Sequence, residues 1–280
     1  MPPSIAPLTS RLDESVYGGK AAQLAVAVRA GLPVPGGVAL SASFVTAVAA
    51  GRPAARRRLG AITAFPAAAR SSAVGEDSEA ASFAGQHLTR LNVRSTAELA
   101  EAVRAIWASA RSDSALAYRR RLGLPTDPEI GVVVQELVEP DCAGVLFSRN
   151  PIDGSNEIVI EASWGLGEAV VAGLVTPDRF RLAPNGAVLE RFAGAKDVAI
   201  ALDPAGGTRE ASVPAARVHE LCLDDERLAE LRALALRCEA VYGGTQDLEW
   251  AFRGKSLYLL QRRALTAIAR SPSGSSLACA

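Results

Sequence analysis

Hydrophobic and polar positions change period along the chain, and the change divides it. In residues 20–30, KAAQLAVAVRA, apolar positions recur at helical spacing, and Gly31 with Pro33 beyond supplies a stop. GGVALS then reads as a short strand leading into another helix. Residues 96–122, TAELAEAVRAIWASARSDSALAYRRRL, keep the helical period and predict one or two helices, with Thr96 and Glu98 near the start. After GLPTDPEIG, residues 123–131, the pattern turns to short apolar runs that read as strands: GVVVQELV, AGVLFS, NEIVIEA, DRFRLA and AVLERF. Residues 224–241 return to a helix. A mostly helical first part and a mostly stranded second part predict an α+β protein of two lobes, 1–130 and 131–267. The last segment, 268–280, is rich in Ser, Gly and Ala and is expected to be a disordered tail.

The final apolar stretch, DLEWAFRGKSLYLLQRR (247–263), predicts an antiparallel hairpin turning at Arg253-Gly254-Lys255. With a three-residue loop, Phe252 stands opposite Ser256, Trp250 opposite Tyr258 and Glu249 opposite Leu259. One face then carries Leu248, Trp250, Phe252, Tyr258 and Leu260, and the other Asp247, Glu249, Gln261 and Arg263. A solvent-facing side is the ordinary reading of such a polar set. Ala251, Leu257 and Leu259 share that side, however, and imply partial cover. A covered carboxylate and amide need partners, because unpaired burial is costly. A divalent cation with phosphate oxygens would supply them. The parity of the loop matters here: an even turn would send Gln261 and Arg263 away from Glu249.

Composition removes several classes of partner. Thirty basic and thirty acidic residues cancel, which leaves no electrostatic footprint for nucleic acid or an anionic membrane. Arg56-Arg57-Arg58 reads as a solvated helix face. Cys142, Cys222, Cys238 and Cys279 form no CxxC, so neither a zinc site nor a disulfide framework is indicated and reduced thiols are expected. The first residues lack the order of a signal peptide. Residues 30–51 carry no charge, but Pro33, Pro35 and several Gly and Ser residues break them into turn, strand and helix start. A soluble, cytoplasmic protein is the expectation.

Four further stretches have the residue types for anion chemistry. YGGKAAQL (17–24) sets two glycines and Lys20 at a helix start, where free amides favour an anion. It departs from a Walker A loop, having Glu14 where that motif needs Gly and Ala21 in place of Ser or Thr. In RSSAVGEDSEAASFAGQ (70–86), Arg70 precedes a small-residue run that would let backbone amides approach phosphate closely. VVVQELVEP (132–140) is an apolar strand whose edge would offer backbone groups to a base, and SWGLGEAVVAGLVTPD (163–178) is a glycine turn into a short helix at Glu168. A turn, a surface loop, a core strand and a helix-start acid are the plain structural readings of these four. Neither His87 nor His219 stands beside a nucleophile.

Taken in order, GGKAAQLAVAVRAGLPVPGG, RSSAVGEDSEAASFAGQ, QELVEPDCAGVLFSRNP, SWGLGEAVVAGLVTPD and GGTQDLEWAFRGKSLYLLQRRALT resemble the ATP-binding N-terminal domain of the phosphoenolpyruvate synthase and pyruvate phosphate dikinase family, also carried by rifampicin phosphotransferase. The resemblance implies a two-lobed ATP-grasp fold with the nucleotide between the lobes. It implies that Lys20 and Arg70 contact phosphates, that Ser82, Phe83, Ala84, Gly85 and Gln86 cover them, and that Arg119 assists. Gln135, Glu136, Leu137 and Val138 would hold adenine, Glu249 and Gln261 would hold Mg²⁺, and Arg263 would face the transferred group. In this family the β-phosphoryl group of ATP passes to a histidine on a mobile domain. That histidine follows a Thr-Ser pair, a context which neither His87 nor His219 has. The segment between Phe44 and Arg70 is shorter than in the family, Thr245 stands where Pro is usual, and QRRALT replaces QARPIT. The expectation is an ATP-dependent phosphotransferase domain working with separate carrier and acceptor-binding proteins or on a small molecule. The alternative is a nucleotide-binding regulatory module without transfer chemistry.

Overall fold

The computed structural model describes residues 4–74 and 88–265. In chain order the first elements are β1 (Ile5–Pro7), α1 (Glu14–Tyr17), α2 (Gly19–Arg29), β2 (Gly37–Leu40), α3 (Ala42–Ala49), α4 (Pro53–Leu59), β3 (Ala67–Ala73), β4 (Thr89–Val93), α5 (Thr96–Ser109), α6 (Asp113–Arg121) and β5 (Ile130–Glu136). There follow β6 (Cys142–Phe147), β7 (Ile158–Trp164), α7 (Glu168–Val171), β8 (Asp178–Leu182), β9 (Val188–Phe192), β10 (Val198–Leu202), β11 (Thr208–Ser212), α8 (Asp225–Tyr242), β12 (Gln246–Arg253) and β13 (Ser256–Ala264). Two antiparallel sheets organise them: a five-stranded sheet in the order β1-β2-β5-β3-β4 and a six-stranded sheet in the order β13-β12-β6-β7-β8-β9. β10 and β11 form a separate hairpin.

The middle of the first sheet explains why its strand lacks alternation. Val132 and Val134 of β5 face the cluster built with α3 and α5, while Val133 faces the cluster under α1 and α2. Helices on both faces demand an apolar residue at every position. The helices begin where the sequence offers caps: Ser41, Ser95 and Ser112 accept from the amides of Phe44, Glu98 and Ala115. α2 ends in a Schellman arrangement, with Gly31 N–H donating to Val28 O and Leu32 N–H to Ala27 O, and Gly31 at φ +72°. In the second sheet, Leu146, Ile160, Leu248, Trp250 and Phe252 pack on Leu231, Leu234 and Cys238 of α8.

Two expectations change. The lobe boundary expected at residue 131 is misplaced, because β5 inserts between β2 and β3 of the first sheet, and the chain crosses to the second sheet only between Glu136 and Cys142. The turn at 123–131 returns the chain to its own sheet. The hairpin loop is also two residues long, not three: Arg253 pairs with Ser256, Phe252 with Leu257 and Trp250 with Leu259, with Gly254 at φ +60°. Leu260 is then bulged out, and the register resumes with Glu249 opposite Gln261. The bulge restores the parity that an odd loop would have set. Tyr258 and Leu260 consequently lie with Ala251, Val138 and Ala143 on the polar residues' side, while Leu257 and Leu259 join the α8 core.

Among the described residues no helix is long and apolar enough to cross a membrane. Cys142, Cys222 and Cys238 are buried free thiols; Cys279, His87 and the segment 268–280 lie outside the described residues.

Candidate nucleotide site between the two sheets

The first wall of the site is built by a glycine. Gly18, at φ +83°, precedes α2, and a Cβ there would stand 2.0 Å from Ser72 O. Only a residue without a side chain lets the start of α2 press on β3. Ser72 Oγ then accepts from Ala21 N–H at 2.9 Å. An amide expected to meet an anion is therefore already bonded within the protein. Lys20 carries the positive charge instead: it is buried, donates from Nζ to Ser71 O at 2.9 Å, and lines the cavity between the sheets. Beside it on β3, Arg70 places Nη1 3.5 Å from Glu249 Oε2 across the cleft. Arg70 Nε is buried and has no hydrogen-bond partner among the described residues.

The crossing segment forms the second wall. Glu136 N–H donates to Gly36 O at 2.8 Å and Leu137 N–H to Pro66 O at 3.1 Å. These bonds fix the segment as it leaves β5, and among the described residues they leave the Val138 amide without a backbone partner. Gln135 Nε2 reaches Pro35 O at 3.4 Å. Around the segment lie Ala143, Gly144 and Leu260, an apolar slot suited to a planar ring.

The floor is the polar face of the β12–β13 hairpin. Glu249 and Gln261 are direct cross-strand partners, as are Asp247 and Arg263. In the orientation that satisfies both ends of its amide, buried Gln261 accepts at its oxygen from Arg263 Nη2 at 2.8 Å and Nε at 3.0 Å. Burial pushes the Asp247 carboxyl up to about 6, against the pull of Arg263 and with the help of nearby Glu249. The far side is apolar, with Leu91, Leu166, Val171, Leu174 and Ile200, and Glu168 at the start of α7 lines it too. The volume of this open cleft is about 680 Å³.

The structure thus brings Lys20, Arg70, Gln135, Glu136, Leu137, Val138, Glu249, Gln261 and Arg263 to one cavity. Arg119 is not among its lining residues; on α6 it donates from Nε to Pro125 O at 2.6 Å. Ser82, Phe83, Ala84, Gly85 and Gln86 lie outside the described residues. The sequence reading missed the contribution of β4 and β10. Asn92, at φ +55°, donates to Asp203 O at 2.7 Å and Gly207 O at 2.9 Å and fastens the β10–β11 hairpin against the first lobe. That brings Ile200 to the wall. A non-glycine residue with positive φ is the sole local mark, and it is not visible in a sequence.

The family described as "Pyruvate phosphate dikinase, AMP/ATP-binding domain" matches residues 53–277. The chain belongs to that family. It is an ATP-binding domain of α+β fold built on two antiparallel sheets. The chain is 40% identical over 203 residues to a rifampicin phosphotransferase of a Streptomyces species, covering 72% of this chain and 23% of the relative. It is also 40% identical over 203 residues to a probable phosphoenolpyruvate synthase of Methanothermobacter thermautotrophicus, covering 72% and 30%. Over 290 aligned residues it is 36% identical to the prodigiosin synthesizing transferase PigC of Serratia marcescens, covering 92% and 32%. The chain thus spans less than a third of the length of these relatives. Among solved structures, D-alanine–D-alanine ligase from Bacillus anthracis complexed with ATP aligns at 11% identity and a TM-score of 0.37, over 88% of this chain and 55% of the ligase.

Proposed function

We propose that this chain is the ATP-using part of a phosphotransferase, passing a phosphoryl group to a histidine on a separate carrier domain or to a small-molecule acceptor. The observation that carries the reading is the meeting of two cationic side chains from β3 and α2 with the Glu249–Gln261 pair of the opposite sheet. In this reading the adenine lies in the slot beside the crossing segment, with the Val138 amide at its edge. The triphosphate runs between Lys20, Arg70 and Arg263 towards the hairpin floor.

The donor set fits Mg²⁺ in company with phosphate. One carboxylate and one amide oxygen are hard ligands, and Mg²⁺ commonly takes one or two protein oxygens together with substrate phosphates. Among the described residues no group of three or more acidic, His or Cys side chains is present to hold a bare ion. When bound, Mg²⁺ would neutralise charge on the reacting phosphates. The chain's own residues do the rest: Lys20 and Arg70 fix the phosphate oxygens, Arg263 stabilises charge on the group in transfer, and the lobes exclude water. Transfer of the β-phosphoryl group to a carrier imidazole breaks the bond to the α-phosphate side and leaves AMP; the γ-phosphate leaves as phosphate on attack by water. The buried thiols support a reducing, cytoplasmic setting.

The test is incubation with Mg²⁺ and ATP labelled separately at the β- and γ-phosphates, with and without a histidine carrier domain from a relative. AMP formation and label on the carrier support transfer. ATP binding with no cleavage in any mixture would replace the reading by the regulatory module. A stable phosphoryl adduct on His87 or His219 of this chain alone would contradict the need for a carrier.

A further inference from the structure

Both proposed cation ligands are already engaged, each by an arginine that the reading above assigns to phosphate. The Gln261 amide oxygen has two lone pairs, and in the amide orientation that satisfies both of its ends Arg263 Nη2 and Nε fill them at 2.8 and 3.0 Å. Glu249 Oε2 faces Arg70 Nη1 at 3.5 Å. Gln261 is buried, so water cannot readily replace the guanidinium there. For Gln261 to bind a cation, at least one of its bonds to Arg263 must break, and a guanidinium left beside the cation would repel it.

We infer that the two arginines exclude a bare divalent cation, and that the site accepts the metal only with a triphosphate that draws Arg263 and Arg70 off Gln261 and Glu249. The exchange conserves contacts. Each arginine trades an oxygen of the floor for a phosphate oxygen, and each freed floor oxygen trades an arginine for the cation. Charge favours this direction, because a guanidinium bonds a phosphate more strongly than a neutral amide oxygen. The consequence is an order of assembly in which nucleotide and metal enter together. The inference rests on the nucleotide reading of the cleft, and it predicts something that reading alone does not: removing a cationic side chain should create affinity for a metal without nucleotide.

The experiment is a titration with Mn²⁺, followed by its paramagnetic resonance signal, in the presence and absence of ATP. The wild type should bind Mn²⁺ weakly alone and much more tightly with ATP. Arg263→Ala should bind Mn²⁺ alone roughly tenfold more tightly than the wild type, a gain sized for one charge and one freed ligand at partly screened range. Combined with Gln261→Ala, that gain should vanish. Arg263→Lys keeps the charge but loses the planar fork, and should give a smaller gain in the same direction; it carries the test if the alanine variant does not fold. Unchanged Mn²⁺ affinity in the Arg263 variants, or a gain that persists without Gln261, would overturn the inference alone. A wild type whose Mn²⁺ binding ignores ATP would overturn the nucleotide reading, and the inference with it.

Discussion

Two carboxylate–cation pairs sit in the second lobe and at its border, and they differ in every respect that separates a structural pair from a working one. Asp178 and Lys196 are wholly buried. Asp178 Oδ1 accepts from Lys196 Nζ and from Gly194 N–H at 2.9 Å, and Oδ2 accepts from Cys222 N–H at 2.8 Å. Both carboxylate oxygens are engaged, and neither side chain is open to solvent. The pair ties β8 to two loops that continue through His219, whose Nδ1 lies 2.8 Å from Gly194 O. Glu249 and Arg70 instead meet at 3.5 Å across the cleft, with Glu249 28% exposed and Arg70 Nε unpartnered among the described residues. A saturated buried pair holds the fold; a long, half-open pair with an orphan donor is poised for something else.

The largest expected effect breaks the saturated pair. Asp178→Ala leaves Lys196 buried without its counter-charge and should destabilise the protein by about 3–5 kcal/mol, measured by urea unfolding. Replacing both together, by Asp178→Leu and Lys196→Met, should cost far less than the two single changes summed, since no uncompensated charge remains. Additive losses would show that the pair's hydrogen bonds to Gly194 and Cys222, not its charges, carry the stability.

Most of the open pair was legible in the sequence, while the saturated pair was not. Lys20 and Arg70 stand in glycine- and serine-rich contexts that mark close backbone approach, and the structure uses Gly18 and Ser72 for that approach. The hairpin could be read because alternation puts Asp247 and Glu249 on one face whatever the loop does. The loop length is ambiguous in the sequence, since a Leu260 bulge and a two-residue turn have the same parity as a three-residue loop. Nothing in the pattern joins Lys196 to Asp178, 18 residues apart across an irregular segment. The sheet that takes the strand 130–136 is hidden for a related reason: local pattern tells that a strand exists, and non-local pairing decides where it goes. Arg119 had only its neighbours in the motif to recommend it, and it bonds to its own turn.

On the open side, Lys20→Ala and Arg70→Ala should each weaken Mg²⁺–ATP binding by about 1.5–3 kcal/mol, the range for charge-assisted hydrogen bonds. Isothermal calorimetry measures this directly. If both variants bind ATP as the wild type does, the cleft is not the nucleotide site and the contrast between the pairs loses its functional half.

A third pair lies between these extremes. Glu157, 6% exposed, accepts from Arg181 Nε at 2.9 Å and Nη2 at 2.7 Å and from Asn150 Nδ2 at 2.6 Å. The hydrogen bonds from Arg181 come first in holding its carboxyl below the ordinary value of 4.5. A carboxyl depressed in the folded state contributes stability above its unfolded value, and that contribution is lost as pH falls from about 4.5 through the lower folded value. Glu157→Gln should therefore cost about 1–2 kcal/mol at pH 7 and flatten the acid limb of the stability curve. Unfolding midpoints taken between pH 3 and pH 7, a range of roughly the carboxylate titration, decide it. An acid limb as steep in the variant as in the wild type would assign it to other carboxylates.

The smallest expected change in stability belongs to Glu249→Gln. The side chain keeps its shape, its partner lies beyond ordinary hydrogen-bond length, and more than a quarter of it faces solvent. Such a pair contributes little to folding, so the variant should unfold within about 0.5 kcal/mol of the wild type. Trp250, the next residue, points to the opposite face and into the α8 core, so the strand's own packing is untouched. The chemistry should respond quite differently. Without the carboxylate the floor offers two neutral oxygens, and a divalent cation bridging it to a triphosphate loses its one formally charged protein ligand. Mg²⁺-dependent ATP cleavage in the presence of a carrier domain should fall by at least about tenfold, a loss of roughly 1.4 kcal/mol or more in transition-state stabilisation. A variant that is strongly destabilised would place Glu249 with Asp178 as part of the scaffold. One that folds and cleaves normally would remove the hairpin floor from the metal site, and leave the arginine opposite it without the exchange that its geometry invites.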